Sequence, residues 1–172
     1  MSDERELTPT GAVYKGIKNA GIDFIVSVPC VNLKELIPMV DAGPGMIHVP
    51  VTREEEGVGI CAGAFMGGKR PAMLMQNSGL GNSINALASL DILYGIPLLM
   101  IMSHRGVEGE PIVAQVPMGQ LTVPLLEILD IPYFIPDSGQ EVADMIVTAM
   151  DTAFDNKRPV AILLPIPFWR QA

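Results

Sequence analysis

Two periodicities take turns along this chain, one repeating every three to four residues and one marked by short unbroken apolar runs. Thr8-Pro9 opens a helix as cap and first-turn proline, and Gly21 ends it. Asp23 to Val28 is an apolar run stopped by Pro29, so a strand is expected there. Asn32 is placed to cap a short helix running to about Asp41, and Met46 to Val51 supplies a second strand. A third helix starts at the Glu54-Glu55-Glu56 run and ends near Gly67-Gly68. Pro71 to Gln76 then forms a buried strand, followed by a glycine turn and a helix from about Asn82 to Tyr94. Ile96 to Ser103 is the most apolar strand, which places it at the centre of a sheet. His104 to Gln115 is polar and too long for a simple connector. A helix around Thr122 to Leu129 and a short strand at Pro132 to Ile135 come next. Ser138-Gly-Gln-Glu141 is a capping box that begins a helix to about Asn156, and PVAILLPI closes the chain as a last strand.

This order predicts an α/β fold: a three-layer αβα arrangement with a mostly parallel sheet of about six strands and helices on both faces. The 172 residues form one domain, residues 1–172, with no linker or internal repeat. With 49% apolar residues and only 5% aromatic ones, the core is aliphatic and methionine-filled. A net charge of −8 leaves no basic stripe for nucleic acid, so none is expected as a partner. The opening MSDERELTPTG is too charged for a signal peptide, and the run Ile92 to Met102 is broken by Gly95 and Pro97. A soluble, cytoplasmic protein is the expectation. Cys30 and Cys61 lack metal-ligand spacing and are read as reduced thiols, with a disulfide left open.

Several chemistries are excluded or weakened by what is missing. Gly79-Leu-Gly81 follows a strand and precedes a helix, but a dinucleotide fingerprint needs a third glycine where this chain has Ile84. It also needs an acid where the chain has Ser103-His104-Arg105. The two histidines, His48 and His104, have no partners at metal spacing, and no GxSxG elbow occurs, so no metal site is expected. What remains is the glutamate run beside Gly57, Gly59, Gly63 and Gly67. Glycines cost a helix about 1 kcal/mol each against alanine, so their density points to close approach by a backbone, a subunit or a cofactor. One of the glutamates is a candidate to share a proton inside a closed apolar site, while the others merely suit the helix N-terminus.

The order strand, Glu, small-residue helix, strand, NSGLGN, helix, IPLLMI strand resembles the pyrimidine-binding domain of thiamine-diphosphate-dependent decarboxylases. VPCVNL, VTREEEGVGICAGAF, QNSGLGNSINALASL and the SHRG loop are similar to the alpha subunits of sulfopyruvate decarboxylases, with phosphonopyruvate decarboxylases next. The resemblance implies a catalytic glutamate nine residues before Gly63, which is Glu54, with Glu55 as the alternative. That carboxyl would hydrogen-bond the pyrimidine ring nitrogen of thiamine diphosphate, which itself carries the hard chemistry. Pro29, Asn77, Ser78 and Gly79 match segments that lie against the cofactor in the family. Arg105 is the candidate for an anionic substrate group, with His104, Asn32 and Gln115 as further contacts. No GDG run occurs in the sequence. The implied arrangement is therefore a hetero-oligomer with a separate beta subunit carrying the GDG…N diphosphate site and its Mg2+. The implied reaction is decarboxylation of 3-sulfopyruvate to sulfoacetaldehyde and CO2 in coenzyme M biosynthesis. A phosphonopyruvate decarboxylase subunit and a non-catalytic assembly domain remain the alternatives.

Overall fold

The computed structural model describes residues 8–170. Six parallel strands form one sheet in the order β2-β1-β3-β4-β6-β5. They are β1 (Phe24–Ser27), β2 (Ile47–Pro50), β3 (Pro71–Gln76), β4 (Leu98–His104), β5 (Tyr133–Phe134) and β6 (Pro159–Pro165). The helices are α1 (Pro9–Asn19), α2 (Leu36–Asp41), α3 (Glu54–Met66), α4 (Ser78–Ala86), α5 (Val116–Ile128), α6 (Gly139–Asn156) and α7 (Ile166–Trp169). Short 3-10 turns at Val31–Leu33 and Val113–Gln115 precede α2 and α5. The expected three-layer, parallel α/β fold is the one observed.

Strand side chains alternate between two cores. Ile25, Leu74, Leu99, Ile101 and Ile162 face α1, α2, α6 and α7. Val26, Met73, Met75, Met100 and Met102 face α3, α4 and α5. The methionines cluster on the second face, where unbranched, adaptable side chains fill the gaps that the small residues of α3 leave. β4 lies between β3 and β6 with all seven residues buried, in agreement with its apolar run.

The chain reverses its direction of travel across the sheet between β1 and β3. The helix after β1 packs on one face and the helix after β3 on the other. Backbone turns diverge at such a switch point, opening a crevice beyond the strand carboxyl ends.

Three boundaries differ from the sequence expectation. Asn32 does not cap a continuous helix: α2 starts at Leu36, because the Asn32 amide donates to Ser103 Oγ at 2.9 Å instead. α4 begins at Ser78 rather than Asn82, so the glycine-rich Ser78-Gly79-Leu80-Gly81 is its first turn rather than a loop before it. It then widens into a π-helical segment, Leu87–Ile92. α5 begins at Val116, six residues before Thr122; Pro117 sits in its first turn, where no N–H is needed, and Pro124 lies inside it. The capping box of α6 is present, with Glu141 Oε1 accepting from the Ser138 N–H at 3.1 Å.

Candidate active site

The three consecutive glutamates separate once folded. Glu54 is the first residue of α3 and is 8% exposed. Glu55 is half-buried: Oε1 meets Arg53 Nε at 2.5 Å while Oε2 is shielded without a hydrogen-bond partner, and its own backbone N–H together with the ion pair holds its carboxyl below the usual range. Glu56 accepts from Thr52 Oγ1 at 3.2 Å on the exposed side. Of the three, Glu54 is the one seated against the first turn of α4.

What receives Glu54 is the first turn of α4. A Cβ placed on Gly79 would stand 2.3 Å from Glu54 Cγ and 2.7 Å from Oε1, so the carboxyl lies directly on the Gly79 backbone. Asn82, on the same turn, donates to Glu54 Oε2 at 2.9 Å. Oε1 has no hydrogen-bond partner among the described residues and is not sealed in. The carboxyl is thus fixed at one oxygen and open at the other. Gly57, one turn further along α3, lets the sheet approach: a Cβ there would meet Met73 Cε at 2.7 Å and Val26 Cγ1 at 2.9 Å. Gly59 and Gly63 are different, because nothing lies within 4 Å of where their Cβ atoms would be.

Asn77 connects this turn to the next strand. Its side-chain oxygen accepts from the Arg105 N–H at 2.8 Å. Its amide donates to Thr122 Oγ1 at 2.8 Å, Arg105 O at 3.1 Å and Met118 O at 3.4 Å. The side chain is spent internally, and these bonds fix the start of the Ser78-Gly79 turn. Gln76 makes a second chain of contacts, donating to Ser78 Oγ and to Gln115 Oε1, each at 2.8 Å, while Cys30 Sγ lies 3.8 Å from Gln76 Oε1. Pro29 is exposed at the end of β1 beside a cavity of about 340 Å³.

Arg105 is 6% exposed and clamped by Glu110 through Nε at 2.6 Å and Nη2 at 2.7 Å. Glu110 also accepts from the N–H groups of Gly106 and Ile112, at 3.0 and 2.9 Å. With the Arg105 guanidinium foremost, these donors pull the Glu110 carboxyl down to about 2. Arg105 and Asn32 line one cavity of about 590 Å³. His104 is not among the residues lining it: it is 5% exposed with Nε2 3.4 Å from Gly119 O, and burial lowers its pKa. Gln115 is engaged with Gln76. His48 is satisfied by Ser27 Oγ at 2.8 Å and Asp41 Oδ1 at 3.0 Å. Cys30 and Cys61 are both free, and burial raises the Cys61 thiol pKa far above neutrality.

Asn82, Gln76 and Glu110 were not singled out from sequence. Gln76 carries the clearest signal, as the one polar residue ending an apolar strand at the switch point. Glu110 has none, since its partner is fixed only once the loop closes.

A family model described as thiamine pyrophosphate enzyme, N-terminal TPP binding domain, matches residues 8–123. The sulfopyruvate decarboxylase subunit alpha of Methanothermobacter thermautotrophicus is 58% identical over 92% of this chain and 96% of its own length. The chain belongs to the thiamine pyrophosphate enzymes. The sulfopyruvate decarboxylase of Methanosarcina acetivorans is 39% identical over 95% of this chain, which spans 41% of that longer protein. The benzoylformate decarboxylase of Polynucleobacter necessarius shares the fold, with a TM-score of 0.73 at 18% identity over 96% of this chain and 31% of that one. For a thiamine pyrophosphate enzyme, the geometry around Glu54 fits a pyrimidine ring. One oxygen is anchored and the other is open, on a backbone kept bare by Gly79. Among the described residues, no group of three His, Cys, Asp or Glu is placed to hold a metal ion, and no helix is long and apolar enough to cross a membrane.

Proposed function

We propose that this chain is the pyrimidine-binding subunit of a cytoplasmic two-subunit decarboxylase that converts 3-sulfopyruvate to sulfoacetaldehyde and CO2, a step of coenzyme M biosynthesis. The observation that carries the reading is Glu54, a nearly buried carboxyl seated on Gly79 with Asn82 holding one oxygen. When bound, thiamine diphosphate supplies the electron sink for the departing carboxylate. This chain's part is to hold a proton. Glu54 Oε1 is the atom that shares it with the ring nitrogen, and Asn82 keeps the carboxyl from rotating away. Asn77 and Gln76 set the Ser78-Gly79 turn against which the ring lies.

The diphosphate and its Mg2+ are assigned to a beta subunit. Two observations support this: the sequence has no GDG run, and the longer Methanosarcina relative has some three-fifths of its length without counterpart here. Gly59 and Gly63 leave α3 bare beside exposed Ile60 and Met66, which suits close docking by a partner. The preference for sulfonate follows the names of the relatives, since sulfonate and phosphonate are both tetrahedral oxyanions.

The test is reconstitution. CO2 release from 3-sulfopyruvate should be absent with either chain alone and appear on mixing, with phosphonopyruvate turned over at least tenfold less efficiently. Turnover by this chain alone would refute the two-subunit assignment, and a preference for phosphonopyruvate would change the substrate.

A further inference from the structure

The cavity of about 590 Å³ beside Arg105 lies beyond the carboxyl ends of the strands, on the α1 and α7 side of the sheet. Three of the chain's eleven cations, Lys34, Arg105 and Arg170, line it, against one acid, Glu35. That concentration stands out in a chain of net charge −8. Lys34 is exposed and forms no ion pair among the described residues. Arg105 is the reverse: Glu110 holds Nε and Nη2, and Nη1 keeps no hydrogen-bond partner among the described residues. A guanidinium fixed along one edge and free at the other loses little conformational freedom on meeting an anion.

Two further contacts hold the cavity in register with Glu54. The Asn32 amide ties the loop before Lys34 to Ser103, and two residues on, just past the strand, the Arg105 N–H donates to Asn77. Asn77 stands two residues before Gly79, on which Glu54 rests. The cavity and the turn that seats Glu54 are thus braced against each other through Asn77.

We infer that the cavity binds the sulfonate end of the substrate, with Lys34 and Arg105 Nη1 as its ligands, Arg170 at the rim, and Glu110 as the residue that positions Arg105. The inference rests on the keto-acid reading above and extends it to residues outside the cofactor turn. Glu110 cancels much of the charge of Arg105, so Lys34 supplies the net attraction and Arg105 the directed donor.

The experiment uses the assembled two-subunit enzyme and sulfoacetate, which has the sulfonate but no keto group. Lys34→Met should weaken sulfoacetate binding at least tenfold by calorimetry. It should raise KM for 3-sulfopyruvate by a similar factor with kcat within twofold. Arg105→Lys, which keeps the charge but loses the directed Nη1 donor, should also weaken sulfoacetate binding. Lys18→Met, an equal charge change on the exposed side of α1, should alter neither. Sulfoacetate affinity unchanged in both Lys34→Met and Arg105→Lys, with melting midpoints preserved, would overturn the assignment. Loss of sulfoacetate binding in Lys34→Met, in a complex that does not decarboxylate 3-sulfopyruvate, would sustain the sulfonate site and sink the keto-acid reading.

Discussion

Neighbouring identical side chains can have unlike fates, and Glu54 and Glu55 show how one residue of helical rotation decides. Glu54 falls on the face of α3 turned to α4, while Glu55, half-buried, reaches back to Arg53. Gly79 is what makes room. Its φ is ordinary, so alanine would suit the helix better by about 1 kcal/mol. The added methyl would nevertheless displace Glu54. Gly79→Ala should therefore lower kcat of the assembled enzyme at least tenfold, with the gain in helix propensity offset in the melting midpoint by the cost of moving Glu54 off Asn82. Equal activity would mean that Glu54 need not stay on that backbone. Asn77 carries the opposite prediction. Truncation to alanine strands the buried Arg105 N–H, while Thr122 keeps its own bond to Met118 O, and should cost about 2 kcal/mol in denaturant unfolding. The glutamate pair was legible in the sequence as a candidate, and the choice between its members came from resemblance. Asn82 was not legible, because a polar residue four positions after Ser78 looks like any helix surface until the facing element is known.

At the scale of elements, strands were read more accurately than helix starts. β4 and β6 are buried on both faces, and a continuous apolar run marks such a strand without ambiguity. The starts of α4 and α5 were set too late for one reason: glycines and prolines, which ordinarily signal turns, stand inside first helical turns here. Tertiary packing overrides their intrinsic preference, since Gly79 must admit Glu54 and Gly119 must admit Gly106, whose oxygen would be 2.2 Å from an added Cβ. The π-helical segment of α4 was invisible beforehand. It carries Asp91, fully buried with neither oxygen hydrogen-bonded, whose pKa burial raises to about 7. A carboxyl raised above its unfolded value leaves stability unaffected at low pH. It subtracts stability as pH climbs from about 4 towards 7, because only the unfolded chain ionises freely there. Asp91→Asn should therefore melt higher than the parent at pH 7, with the difference shrinking towards pH 4. A difference independent of pH would show that Asp91 is charged in the folded chain.

Across the whole molecule, the fold brings distant segments to one edge. The loops after β1, β3 and β4 meet at the switch point, so residues near 30, 77 and 105 become neighbours. Alternation of elements was enough to foresee the parallel sheet, but not its strand order, which depends on which side of β1 the chain returns to. That order sets the Glu54 carboxyl on the α3 side and the cationic cavity on the α1 side of the same sheet edge. The measurement that bears most directly on the account is kcat of the reconstituted complex carrying Glu54→Gln beside one carrying Glu55→Gln, in matched folded preparations. A fall of about 100-fold or more for Glu54→Gln, with Glu55→Gln within a few-fold of the parent, is the expected result. Full activity in the Glu54→Gln complex would contradict it.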